Sequence, residues 1–136
     1  MNDLFLHDSQ DTSPIVSSDR VLYTPTTFAR SALLYLQEIG RLQAEQPHIS
    51  SRTHLSSYLF FCVNSGSGEL DYQGKKHKLT AGDCVFIDCQ QPYSHSTEEN
   101  LWSLSWIHFS GVTMQDIYQK YQERGGRPVF HPENIT

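Results

Sequence analysis

From residue 56 to residue 109 the chain repeats one pattern: a short apolar or alternating run, a turn signal, then another run. Turn signals about eight to twelve residues apart leave room for strands but not for helices, and such spacing predicts a β-sandwich or barrel. Residues 57–64 (SYLFFCVN) form an apolar run rich in aromatic residues, and residues 64–68 (NSGSG) turn the chain. Residues 69–73 alternate, Gly74-Lys75 turns, and residues 76–79 return. Ala81-Gly82-Asp83 turns again before the apolar run 84–88. Gly82 supplies a bend that a Cβ would resist, and Asp83 can bind turn amides. A loop with Pro92 precedes two further strands, 93–96 and 101–109.

The flanks are less regular. Residues 1–20 are polar and read as a flexible arm, and residues 21–23 read as a short strand ended by Thr24-Pro25. Residues 28–43 fit either a helix carrying Ala32, Leu33, Leu34, Leu36 and Ile39 or a strand alternating through Tyr35, Gln37 and Ile39 or through Leu34, Leu36 and Glu38. The strand is taken because the surrounding sequence is β-rich. After Phe109 the period lengthens. Thr113 to Asp116 has the form of a capping box, and Ile117, Tyr118 and Tyr121 share one helical stripe. Lys120 and Arg124 suit the negative end of the helix dipole, Gly125-Gly126 stops the helix, and residues 128–130 are extended. The expected layout is an arm (1–20), a barrel (21–110), a helix (111–124) and a tail (125–136).

Bulk properties narrow the function. A chain of 136 residues fits one domain. The net charge is −5, with no basic face to neutralise phosphates, so the segment itself is not expected to read DNA. Cys62, Cys84 and Cys89 lack the spacing of a zinc knuckle or a CxxC pair and read as reduced thiols. There is no secretory signal and no stretch long enough to span a bilayer, so a cytoplasmic location is expected.

On the last strand, period two puts Trp102, Leu104, Trp106 and His108 on one face and Ser103, Ser105, Ile107 and Phe109 on the other. Two indoles and an imidazole are an unusual surface for core filling alone, since each indole N–H needs an acceptor. Arg52, just before the first strong strand, offers a planar fork of donors at the barrel mouth.

These pieces occur in a characteristic order: Arg52 with 57–63, then Ser65-Gly66-Ser67-Gly68-Glu69-Leu70, then Leu79-Thr80-Ala81-Gly82-Asp83, then Trp106-Ile107-His108-Phe109-Ser110-Gly111 and a helix. In that order, over roughly residues 28–124, the sequence resembles the N-terminal ligand-sensing domains of AraC/XylS-type transcription regulators. The resemblance implies a mainly β, cupin-like (jelly-roll) barrel followed by a C-terminal α-helix. It implies a small-molecule effector, commonly a sugar, inside the barrel, a homodimer in the full-length regulator to which the helix 111–124 contributes, and a tail (125–136) that leads toward a second helix and a DNA-binding domain absent from this chain. It implies no enzyme activity, metal or cofactor. Carried over by position, Arg52 and Trp106 would contact the ligand. The family's pocket tyrosine would fall at His95 and its pocket histidine at Leu104; both depart from the arabinose-binding pattern, leaving a sugar or another small polar molecule.

Plainer readings stand beside these. Trp102 and Trp106 are either core or pocket wall, and His108 is either a ligand contact or a hydrogen-bonded structural residue. Tyr93 and His95 point either into the barrel or outward, and Arg52 is either a ligand contact or part of a rim ion pair. The rival class is a metal-dependent cupin enzyme. It needs two histidines separated by one residue, whereas His48 and His54 lie six positions apart, and Tyr93 stands where a histidine should follow the loop proline. A site of His54, His95 and His108 is the form that rival would take. A stand-alone sugar-binding cupin is the third reading.

Overall fold

The structure, a computed structural model, describes residues 16–133. Ten strands and two helices follow in the order β1 (Val16–Leu22), α1 (Thr27–Ala32), β2 (Leu34–Ala44), β3 (His48–Arg52), β4 (Tyr58–Ser65), β5 (Ser67–Tyr72), β6 (Lys75–Thr80), β7 (Cys84–Asp88), β8 (Tyr93–Thr97), β9 (Ser103–Gly111), α2 (Met114–Glu123) and β10 (Val129–Phe130). They form two antiparallel sheets, ordered β1-β2-β9-β4-β7-β10 and β3-β8-β5-β6. This is the mainly β, two-sheeted cup with a C-terminal helix that the sequence implied.

The inner faces meet over one core that includes Leu59, Phe61, Leu70, Leu79, Val85 and Trp102. Each of these apolar residues alternates with more exposed neighbours, as period-two burial requires. The turns behave as their sequences dictate. Gly82 has φ +94°, and Asp83 Oδ2 accepts from the Thr80 amide at 2.8 Å. Gln73 and Gly74 both have positive φ, which is what a two-residue hairpin between Tyr72 and Lys75 demands; the turn therefore begins one residue earlier than Gly74-Lys75.

Several flanking expectations change. Residues 1–15 of the expected arm lie outside the described residues, but its end belongs to β1, which pairs along the whole of Val16–Leu22 with β2. Within residues 28–43 the strand holds from Leu34 onward as β2, whereas residues 28–32 belong to α1; of the residues set on the alternative helix only Ala32 is helical. Thr26 caps α1 by accepting from the Ala29 amide at 3.0 Å. Thr113 precedes α2 but makes no side-chain cap bond. Its ψ of 1° departs from the extended backbone that a capping box needs. The buried stripe of α2 is Met114, Tyr118 and Tyr121, packed on Tyr58, Phe86 and Phe109; Ile117 faces outward and is 44% exposed. Of the expected tail, Val129–Phe130 pairs with β7, and residues 134–136 lie outside the described residues.

Gly68 sets the floor of the cup. A Cβ there would sit 2.3 Å from the Ser96 carbonyl oxygen and 2.3 Å from Trp102 Cζ3. The indole lies directly on the glycine backbone, and the carbonyl cannot retreat without breaking the sheet. Gly68→Ala should destabilise the protein by about 1–3 kcal/mol, read as a lower urea midpoint with an unchanged slope. An unaltered midpoint would show that Trp102 is free to shift.

Candidate functional site

The register brings the sequence-predicted residues to one interior. On β3 the half-buried side chains of His48, Ser50 and Arg52 alternate with exposed Ile49 and Ser51. Their partners on β8 are Thr97, His95 and Tyr93. From the opposite sheet, Leu104, Trp106 and His108 of β9 share the inner face, as the alternation predicts.

His95 is half-buried in this interior. Its ring lies 5.5 Å from Phe61, 5.8 Å from Trp102 and 6.3 Å from Tyr93, centroid to centroid. Its buried Nδ1 finds no hydrogen-bond partner among the described residues. Burial, reinforced by the charges of His48 and Arg52, pushes its pKa down to about 3, so the imidazole is neutral near pH 7 and offers one donor and one acceptor. Tyr93 is buried, and desolvation raises its phenol well above the usual range, keeping it a neutral hydroxyl. Arg52 lies at the mouth, where it and Tyr93 line a 720 Å³ cavity with Asp71, Gln73, Gln91 and Ser94. Its Nη1 donates to the Ser51 carbonyl at 2.9 Å.

Trp102, just before β9, and the inward residues of β9 divide by role. Trp102, fully buried, is core: it meets Phe61 edge-on at 6.2 Å, and its indole N–H has no partner among the described residues. Leu104 is 2% exposed and supplies apolar wall. His108 bonds through Nδ1 to Ser57 Oγ at 2.8 Å, the structural arrangement weighed above. Burial first, then the Arg52 and His95 charges, push its pKa down to about 3. Trp106 is only half-buried, and its indole N–H donates to Glu38 Oε1 at 3.2 Å. That bond fixes the ring by its N–H edge.

Glu38 is the residue that sequence reasoning missed. It is fully buried, and its Oε2 accepts from Arg20 Nη1 at 2.8 Å. Burial raises its pKa, while Trp106 and Arg20 pull it back. A β-bulge explains its position. Leu36 pairs with Phe109 and Glu38 with His108, so Gln37 is the extra residue and the strand changes phase. Leu36 therefore faces out and Glu38 faces in. A bulge leaves no signal in an alternating pattern except its interruption.

The histidines of the rival metal site do not converge. His54 is exposed on the loop after β3, whereas His95 and His108 are inside. Among the described residues, no three of His, Cys, Asp and Glu come together as a metal-binding group. No helix among them is long and apolar enough to cross a membrane.

Residues 35–135 match the family described as the AraC-like ligand binding domain. No curated protein matches the sequence. Among solved structures, KdgF from Halomonas sp. is similar at 17% identity over 77% of this chain and 88% of that one, with a TM-score of 0.54. A cupin 2 conserved barrel domain protein from Leptotrichia buccalis is similar at 18% identity over 76% and 45% of the two chains, with a TM-score of 0.55. A salicylate 1,2-dioxygenase from Pseudaminobacter salicylatoxidans is similar at 19% identity over 87% and 33%, with a TM-score of 0.52. At these identities the likeness is one of fold: a cupin barrel that serves enzymes and other proteins alike.

Proposed function

Because the chain belongs to the AraC-like ligand-binding domain family, we propose that it binds a small polar effector, a sugar or sugar acid, between its two sheets and serves as the sensor of a transcription regulator. Arg52, Tyr93, His95 and Trp106 form the site; Trp102, Leu104 and His108 support it from behind. The observation that carries this reading is the neutral His95 imidazole, whose buried Nδ1 has no partner among the described residues, on the interior to which Trp106, its N–H engaged by Glu38, also belongs. Aromatic faces suit the C–H face of a sugar ring, and a few convergent polar groups then fix its orientation.

In this reading residues 21–110 sense, residues 111–124 contribute to a homodimer, and DNA is contacted only by a separate domain of a cytoplasmic regulator. The charge of −5 supports that division of labour, and the outward-facing Ile117 offers α2 an apolar contact for a second copy. The effector moves the regulator only by its difference in affinity between two arrangements. The metal-enzyme reading lacks a converged ligand set among the described residues.

Calorimetric titration with a panel of neutral sugars and sugar acids tests the site. The ligand that binds wild type should bind Trp106→Ala about tenfold or more weakly, a loss of about 1.4 kcal/mol, as expected for a removed stacking face. Equal affinity in a variant of unchanged melting temperature would remove Trp106 from the site.

A further inference from the structure

The outer face of the six-stranded sheet holds a second chemical feature, independent of the cup. Cys62 on β4 and Cys84 on β7 are directly opposed in the register. Both are free thiols, and their sulfurs are 2.9 Å apart. Opposed residues on neighbouring strands hold their Cβ atoms within about 4.5–5.5 Å, close to the roughly 3.5–4.5 Å that a disulfide spans. Cys62 is half-buried and reachable from solvent, whereas Cys84 is 5% exposed, flanked by Cys62 on one side and by its register partner Phe130 on the other. Cys89 is fully buried within the inner core, on the other side of the sheet.

We propose that Cys62 and Cys84 form a reversible redox site, a dithiol that a hydroperoxide closes into a cross-strand disulfide. The Cys62 sulfur, as thiolate, attacks the peroxide oxygen, breaks the O–O bond and becomes a sulfenic acid, and one water or alcohol leaves. The Cys84 sulfur then attacks Cys62 Sγ; the S–S bond forms, the S–O bond breaks, and the hydroxyl leaves as water with the Cys84 proton. The dithiol has lost two electrons and the peroxide has gained them, and a thiol reductant reverses the step. The order of attack follows from access. It also agrees with Cys84 being held protonated: burial, then the S–H contact to Cys62, pushes its thiol up to about 12. Cys89, pushed by burial to about 12 and enclosed, takes no part.

The whole chain, reduced and then exposed to stoichiometric hydrogen peroxide, is quenched and its thiols are titrated under denaturing conditions. The expected count falls from three to one, in a monomeric chain about 2 Da lighter, with the Cys62 and Cys84 peptides linked. Dithiothreitol should restore all three. In Cys84→Ser, Cys62 should instead accumulate as a dimedone-trapped sulfenic acid; in Cys62→Ser, the remaining thiols should survive the same dose. Three thiols persisting in wild type, a link to Cys89 or between chains, or equally fast loss of Cys84 in Cys62→Ser would each overturn the proposal.

Discussion

Lowering the pH from 7 to 5 should reduce the unfolding free energy by about 3 kcal/mol, a substantial share of the roughly 5–15 kcal/mol that holds a domain of this kind together. His95 and His108 are responsible. Each is neutral in the folded protein, with a pKa of about 3 against an ordinary 6.5. A depressed imidazole means that the unfolded chain takes up the proton more readily. Stability is then fully present above the ordinary value and is lost as pH falls from there toward the folded value. His48, lowered by burial, acts in the same direction. Glu38 opposes them, because its raised pKa makes the folded state the better proton acceptor and favours it as pH falls. Urea midpoints at pH 7, 6 and 5 measure the balance. The double variant His95→Gln, His108→Gln should flatten the profile, and a flat wild-type profile would mean that the two rings are not held neutral in the cup.

Arg20→Met should cost about 3–5 kcal/mol, the toll of leaving one member of a buried ion pair alone. Glu38 would keep only the Trp106 indole as its hydrogen-bond donor. A carboxylate with no exposed surface has no water to turn to. The deficit should shrink as pH falls, since a protonated Glu38 no longer needs a cation. Glu38→Leu combined with Arg20→Met should recover most of the loss, because an apolar pair removes both charges together. Comparing the single and double variants by denaturant unfolding at pH 7 and pH 5 checks both statements. If the single variant matches wild type, Glu38 is neutral already or finds another partner.

Part of this was legible in the sequence. β4 to β9 announce themselves because their apolar residues alternate between well-marked turns, and the inward set Trp102, Leu104, Trp106 and His108 follows from period two alone. β1 (VSSDRVL) and β3 (HISSR) carry mostly polar residues and give no such pattern; their place is set by pairing with β2 and β8. Arg52 and Tyr93 were named separately, but only the β3–β8 register shows them to be neighbours. Glu38 was hidden because a single inserted residue, Gln37, reverses which side of β2 faces inward. The capping-box motif at Thr113 has the right letters and the wrong backbone, since a turn leads into α2 where an extended residue was needed.

Gly40 lies opposite Trp106 in the β2–β9 ladder, and a methyl group there would come within 2.5 Å of the indole Cζ2. The ring therefore rests on bare peptide, and that side is sealed. In the reading proposed above, a guest would have to approach the indole from the side away from Gly40. A flat molecule would be indifferent to this, but a ring whose substituents point up on one carbon and down on the next would not. If the effector stacks on Trp106 as proposed, selectivity should accordingly be stereochemical, separating epimers of identical composition by which of their two faces is smooth.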